Sequence, residues 1–284
     1  AGRSRIDDLK VFAIVEKPLK IEKLLADVQK AVDYDASIRE NINLNLHLET
    51  CYQFENIVAE SPAMKSICDM INRVAATEIS VLLLGEQGVG KTAIAQTIHA
   101  NSKRKEKSFI VVECSDSEQT NQLLTSVMSV SLITKAEGGT LFLKDVEKMA
   151  ANQQVELLKK LQESKTLAPR LITASAENLD ALAAKGEINI DFYRFIKVIT
   201  IKVPPLRDRK EDILPIFRKF LQEKVGENNV LPVLIPEVLS ILTSYKWQGN
   251  VAEVKETVDY VVNHMKNEKI LIDSLPPQLV HPEV

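Results

Sequence analysis

The chain has 284 residues, enough for one large domain or two ordinary ones with a real core. Its 36 basic and 39 acidic residues nearly balance, with a pI near 5.9, which gives no support for a general nucleic-acid surface. Cys51, Cys68 and Cys114 lie far apart, which speaks against a zinc or disulfide framework and fits a reducing cytoplasm.

In chain order, Val11-Phe-Ala-Ile-Val-Glu-Lys-Pro18 reads as a short strand stopped by a proline, followed by a helix carrying Ile21, Leu24, Leu25, Val28, Ala31 and Val32 on one face. Residues 38–49 alternate like a strand from Ile42 to Leu48 but also suit a linker helix, which is preferred because no partner strand is evident. From Phe54 to about Val203 helices and strands alternate. Strands are predicted at 79–84, 108–113, 140–143, 170–174 and 198–203, with helices at 62–76, 91–100 and 150–163. Such alternation predicts a mainly parallel sheet covered on both faces. From Arg207 onward strands vanish, and amphipathic helices are predicted at about 210–223, 236–245 and 251–266. Pro236 sits where a first-turn proline belongs.

The most specific motif is Gly85-Glu-Gln-Gly-Val-Gly-Lys-Thr92, a full G-x-x-x-x-G-K-[ST] between the apolar run Ile79–Leu84 and a helical run. Strand, glycine loop and helix form the context in which such a loop binds phosphate. Backbone N–H groups of Gly85, Glu86, Gln87, Gly88, Val89 and Gly90 are expected to wrap the phosphates. Lys91 is expected to reach the terminal ones and Thr92 to ligate Mg²⁺.

Further strings resemble the AAA+ domain of the NtrC-like bacterial enhancer-binding proteins, the activators of sigma-54 RNA polymerase. They are Phe54-Glu-Asn-Ile-Val58 with Ser61-Pro-Ala-Met64, Ile98-His-Ala-Asn-Ser-Lys-Arg104, Glu137-Gly-Gly-Thr-Leu-Phe-Leu143, Val203-Pro-Pro-Leu-Arg-Asp-Arg209, Glu211-Asp-Ile213, Trp247-Gln-Gly-Asn-Val251 and Ile272-Asp-Ser-Leu-Pro-Pro277. The resemblance covers 54–277 in the family's order. It implies a P-loop AAA+ three-layer αβα core with a mainly parallel five-stranded sheet and a small all-α lid. Three segments are expected: 1–49, similar to the C-terminal strand and helix of a response-regulator receiver domain plus a linker helix; 50–206, the α/β nucleotide-binding subdomain; and 207–284, the lid. That receiver's phosphorylated aspartate would lie upstream of residue 1, so the segment is expected to be the end of a receiver or a relic of one, with an unrelated N-terminal hairpin or cap as the alternative. Ile57 and Val58 are expected against an adenine ring.

Against that resemblance the hydrolytic half of the site departs from pattern. The metal-linked Asp and the catalytic Glu fall on Lys144 and Asp145, the latter one methylene shorter. Two readings stand for Lys144: it points to solvent in an unused site, or its ammonium contacts phosphate oxygens in the metal's place. The Asn that restrains the catalytic Glu is Glu113, the sensor is Ala176, the trans-acting arginines fall on Asn189 and Phe195, and the lid arginine on Ala252. Arg194 is a one-residue-shifted substitute. The family's Gly-Ala-Phe-Thr-Gly-Ala loop has no counterpart in 115–137, so direct sigma-54 contact is not expected, nor is DNA contact by these 284 residues.

The leading expectation is a catalytically degenerate AAA+ module that binds ATP or ADP, with Mg²⁺ in doubt, and acts through protein partners. The alternatives are a weak oligomeric ATPase using Asp145 and Arg194, and a nucleotide-free interaction scaffold. Self-association through 19–48, as a dimer, or contact with a related AAA+ protein is expected. With no signal-peptide region and no membrane-length apolar run, the protein is expected to be cytoplasmic.

Overall fold

The computed structural model describes residues 57–124, 131–163, 168–226, 229–265 and 269–280, all within the unit from Phe54 to Val284. The strand and helix expected in 1–49 lie outside the described residues. Strands β1 (Val81–Leu84), β2 (Phe109–Glu113), β3 (Thr140–Lys144), β4 (Arg170–Ser175) and β5 (Ile199–Lys202) form one sheet in the order β2-β3-β4-β1-β5. Every pairing is parallel, as helical crossovers require. The helices around the sheet are α1 (Pro62–Ala75), α2 (Lys91–Ala100), α3 (Ser117–Leu124), α4 (Leu132–Lys135), α5 (Ala151–Glu163), α6 (Leu179–Lys185) and α7 (Ile190–Ile196).

Side-chain alternation along the strands builds two cores. Leu141 and Leu143 of β3 join Leu157, Leu161, Phe192 and Ile196 on one face. Phe142, between them, joins Ile71, Ile94 and Ile98 on the other. Each such fully buried apolar side chain contributes about 1.5–3 kcal/mol, which is why the strands read as nearly unbroken apolar runs. The result is the three-layer αβα arrangement expected. Helix α1 starts where the sequence says it should: Ser61 Oγ accepts from the Met64 amide at 3.2 Å and Pro62 takes the first helical position.

Beyond the sheet, 3₁₀ turns at Leu206–Asp208 and Lys210–Asp212 lead to α8 (Ile213–Val225), α9 (Pro236–Ser244), α10 (Asn250–His264) and α11 (Pro277–Val280). They close over Phe217, Leu242, Trp247, Val254 and Val258. The expectation that strands vanish after Arg207 is corrected here. Two-residue strands β6 (Val233–Leu234) and β7 (Lys269–Ile270) pair in parallel, held by the fully buried Ile270. Each is too short to leave a periodic signature. Among the described residues no helix is long and apolar enough to cross a membrane.

Candidate nucleotide-binding site

In a parallel sheet all strands end at one edge, so the ends of β1 to β4 gather loops from distant parts of the sequence. The loop 85–92 leaves the interior strand β1, between β4 and β5, with the Gly85 amide bonded to Ser175 O at 3.2 Å. Gly88 (φ +75°) and Gly90 (φ +102°) turn the chain through left-handed backbone that suits glycine. At Gly85 a Cβ would stand 2.6 Å from Val203 O. Helix α2 begins at Gly90 with no side-chain cap, so its first amides face the loop. Lys91 donates to Gly85 O at 2.6 Å and Glu86 O at 3.0 Å, folding its ammonium over the loop. Burial lowers its pKa, and the nearby Asp145 and Glu147 oppose that shift.

At the end of β3, Lys144 neither points freely to solvent nor stands alone. It is ion-paired with Glu113, its register partner on β2. Asp145 follows in left-handed backbone (φ 50°), which an aspartate tolerates, and begins a 3₁₀ turn. Glu147, which sequence reasoning did not single out, accepts from the Ala176 amide at 3.3 Å, and its second oxygen is buried without a partner. Its only sequence signal is its place two residues after Asp145. Cys114, between these acids, is pushed by burial to about 12 and is no nucleophile.

The Lys144 position does not fit the Mg²⁺ that the resemblance implies. A phosphate-linked Mg²⁺ takes one or two carboxylates, and the strand-end position offers an ammonium. Among the described residues no cluster of three or more His, Cys, Asp or Glu side chains is placed to hold a metal. Thr92 remains half-buried at the start of α2.

The positions expected for arginine fingers serve structure. Asn189 caps α7, its Oδ1 accepting from Asp191 and Phe192 amides at 3.1 and 3.0 Å. Phe195 packs against the core. Arg194 is exposed and lies 3.9 Å from Asp191. The lid, in contrast, rests directly on the phosphate loop. The Ala252 amide donates to Gly88 O at 3.2 Å, and buried Arg209 donates to Val89 O at 2.8 Å. Arg207 makes a bidentate pair with Glu86, which with a further bond from Asn250 holds the Glu86 carboxyl down at about 2. Asn250, fully buried in left-handed backbone (φ 57°), accepts from the Leu206 amide at 2.8 Å and donates to Gln87 O at 2.9 Å. Beside the loop lies a cavity of about 310 Å³ whose apolar wall includes Ile57, Val58, Val89, Ile216, Phe220 and Val251. The structure thus brings Ile57, Val58 and the loop together and leaves Asn189, Arg194 and Phe195 on a separate helix, α7.

A phosphate loop on an interior parallel strand, with a helical lid closing on it, defines a P-loop protein of the AAA+ class. The sequence matches the Sigma-54 interaction domain over residues 58–206 and the AAA+ ATPase lid domain over 207–283, and the chain belongs to the sigma-54 interaction domain family. It is 32% identical over 294 residues to Regulatory protein AtoC of Escherichia coli (strain K12), covering 95% of this chain and 64% of that protein. It is 30% identical over 291 residues to the DNA-binding transcriptional regulator NtrC of that strain, covering 94% and 61%. The chain therefore spans less than two thirds of the length of either relative. The structure of NtrX from Brucella abortus in complex with ADP matches with a TM-score of 0.71 at 27% identity, over 93% of this chain and 64% of that one. The same protein in complex with ATP matches with a TM-score of 0.71 at 25% identity, over 98% and 68%.

Proposed function

We propose that this chain is a catalytically degenerate AAA+ module of a response-regulator-type transcriptional regulator. It binds ATP or ADP at residues 85–92, with the base against Ile57 and Val58, and turns it over too slowly to drive remodelling. The observation that carries this reading is the Lys144–Glu113 ion pair where a hydrolytic site needs a metal-holding acid, beside an intact phosphate loop. Nucleotide binding draws further support from NtrX, whose structures are complexes with ADP and ATP. The missing cations weigh the same way: one arginine finger alone is worth about 10³–10⁵ in rate in phosphoryl transfer. Without a Gly-Ala-Phe-Thr-Gly-Ala string in 115–137, output runs through other protein contacts, with a second copy through 19–48 or with a related AAA+ protein.

Calorimetry with ATP and ADP tests the binding half, and steady-state phosphate release tests the other. The expected result is binding that Lys91→Ala weakens, with phosphate release at background. Turnover clearly above background and abolished by Lys91→Ala overturns the proposal.

A further inference from the structure

The disagreement between the donor set and a metal has a positive counterpart. Glu113 and Lys144 are register partners at the ends of adjacent parallel strands, and the Cys114 amide bonds to Lys144 O at 3.0 Å, so the ladder runs on past the pair. Their backbones are therefore fixed relative to each other, and the ion pair follows from register. Both side chains keep access to solvent, Lys144 at 32% and Glu113 at 41% exposure, so a ligand can reach the ammonium without opening the core. The ammonium also stands within electrostatic range of Lys91, whose pKa it helps to lower. Two cations thus serve one phosphate loop, each held at rest by the protein's own oxygens: Lys91 by Gly85 O and Glu86 O, Lys144 by Glu113.

Resting on the reading that the loop binds nucleotide, we propose that it takes a nucleoside di- or triphosphate without a divalent cation, the Lys144 ammonium standing in for the metal. On binding, Lys144 shares or exchanges its Glu113 contact for non-bridging phosphate oxygens, forming charge-assisted hydrogen bonds. Glu113 is the resting counter-ion and positions that ammonium. A divalent cation arriving with the nucleotide meets two ammonium groups and gains no carboxylate at position 144, the carboxylates nearby being those of Asp145 and Glu147.

The test is calorimetric titration of the full chain with ATP and with ADP, once in EDTA and once with Mg²⁺. The expected result is affinities within about twofold of each other, with Lys144→Met weakening binding in EDTA by about tenfold or more. The paired change Lys144→Asp with Glu113→Asn is expected to introduce Mg²⁺ dependence of about tenfold or more. Binding by the unaltered chain that is about tenfold tighter with Mg²⁺ overturns the inference while leaving nucleotide binding intact. Absence of binding under both conditions overturns the reading on which it rests, and the inference with it. Because the decisive comparison uses the unaltered chain, misfolding of a variant does not blur the outcome.

Discussion

Asn250 is one of three lid side chains that grip the phosphate loop, and replacing it has a cost that the structure allows to be divided. Asn250→Gly strands the buried Leu206 amide and removes the donor to Gln87 O. Losing an acceptor for a buried amide costs about 1–3 kcal/mol, and the weaker second bond about 0.5–1.5 kcal/mol. The left-handed backbone at 250 suits glycine, so Asn250→Gly is expected to cost about 1.5–4.5 kcal/mol in total. Asn250→Ala loses the same bonds and adds about 1 kcal/mol for a Cβ at φ 57°. Urea denaturation of both variants beside the unaltered chain measures these values. A loss under about 1 kcal/mol in Asn250→Gly refutes the hydrogen-bond accounting. Alanine no worse than glycine refutes the backbone part.

Gly88→Ala places its Cβ 2.2 Å from Gly249 O in left-handed backbone, and it is expected to lift the lid from the loop at about 2–4 kcal/mol, seen as faster proteolysis of the lid. Gly90→Ala meets no atom within 4 Å, so it is expected to cost only the backbone penalty of about 1–2 kcal/mol, and equal losses in the two variants contradict the contact. Glu86 is held at about 2 against 4.5 in the unfolded chain, first by its bond from Arg207 and then by that from Asn250, so its stabilising contribution is fully present above pH 4.5 and is lost as pH falls towards 2. Since the pair is about two-fifths exposed and screened, that contribution is small, and Arg207→Met is expected to remove most of it at pH 7 and little of it near pH 2.5 by urea midpoint. A loss independent of pH contradicts the assignment.

The sheet was legible because its inner strands β1, β3 and β4 are buried on both faces and leave apolar runs such as Val81–Leu84 or Leu141–Leu143, while the edge strands β2 and β5 are only partly covered. Helices with clear stripes or caps, α1, α2 and α5, fall within a residue of their predicted limits. Helices α3, α4, α6 and α7, of eight residues or fewer, span too few turns for a stripe, and α7 depends on the Asn189 cap. The loop was visible as a motif, whereas its grip by Arg207, Arg209 and Asn250 was not. Those strings were recognisable as resemblances, but their targets lie 120 or more positions away and depend on how the lid folds back. The same limit hid the pairing of Lys144 with Glu113. Each residue was marked as a departure, but only the β2–β3 register shows that the two departures neutralise each other.

Asp212 gives the lid its one fully buried carboxylate among the described residues, and its position has a practical consequence. It accepts from the amides of Glu60 and Ser61 at 2.7 and 2.8 Å and from Ser61 Oγ at 2.7 Å, while neighbouring Arg209 reaches Val89 O. Burial pushes its pKa up, and these donors hold it down. The start of α1, the phosphate loop and the entrance to the lid are thereby knotted at one point, across the place where the two family matches meet at 206 and 207. That place divides the sequence into recognisable parts without dividing the molecule into separable ones. A fragment cut there strips three donors of their acceptor on one side and strands a carboxylate on the other.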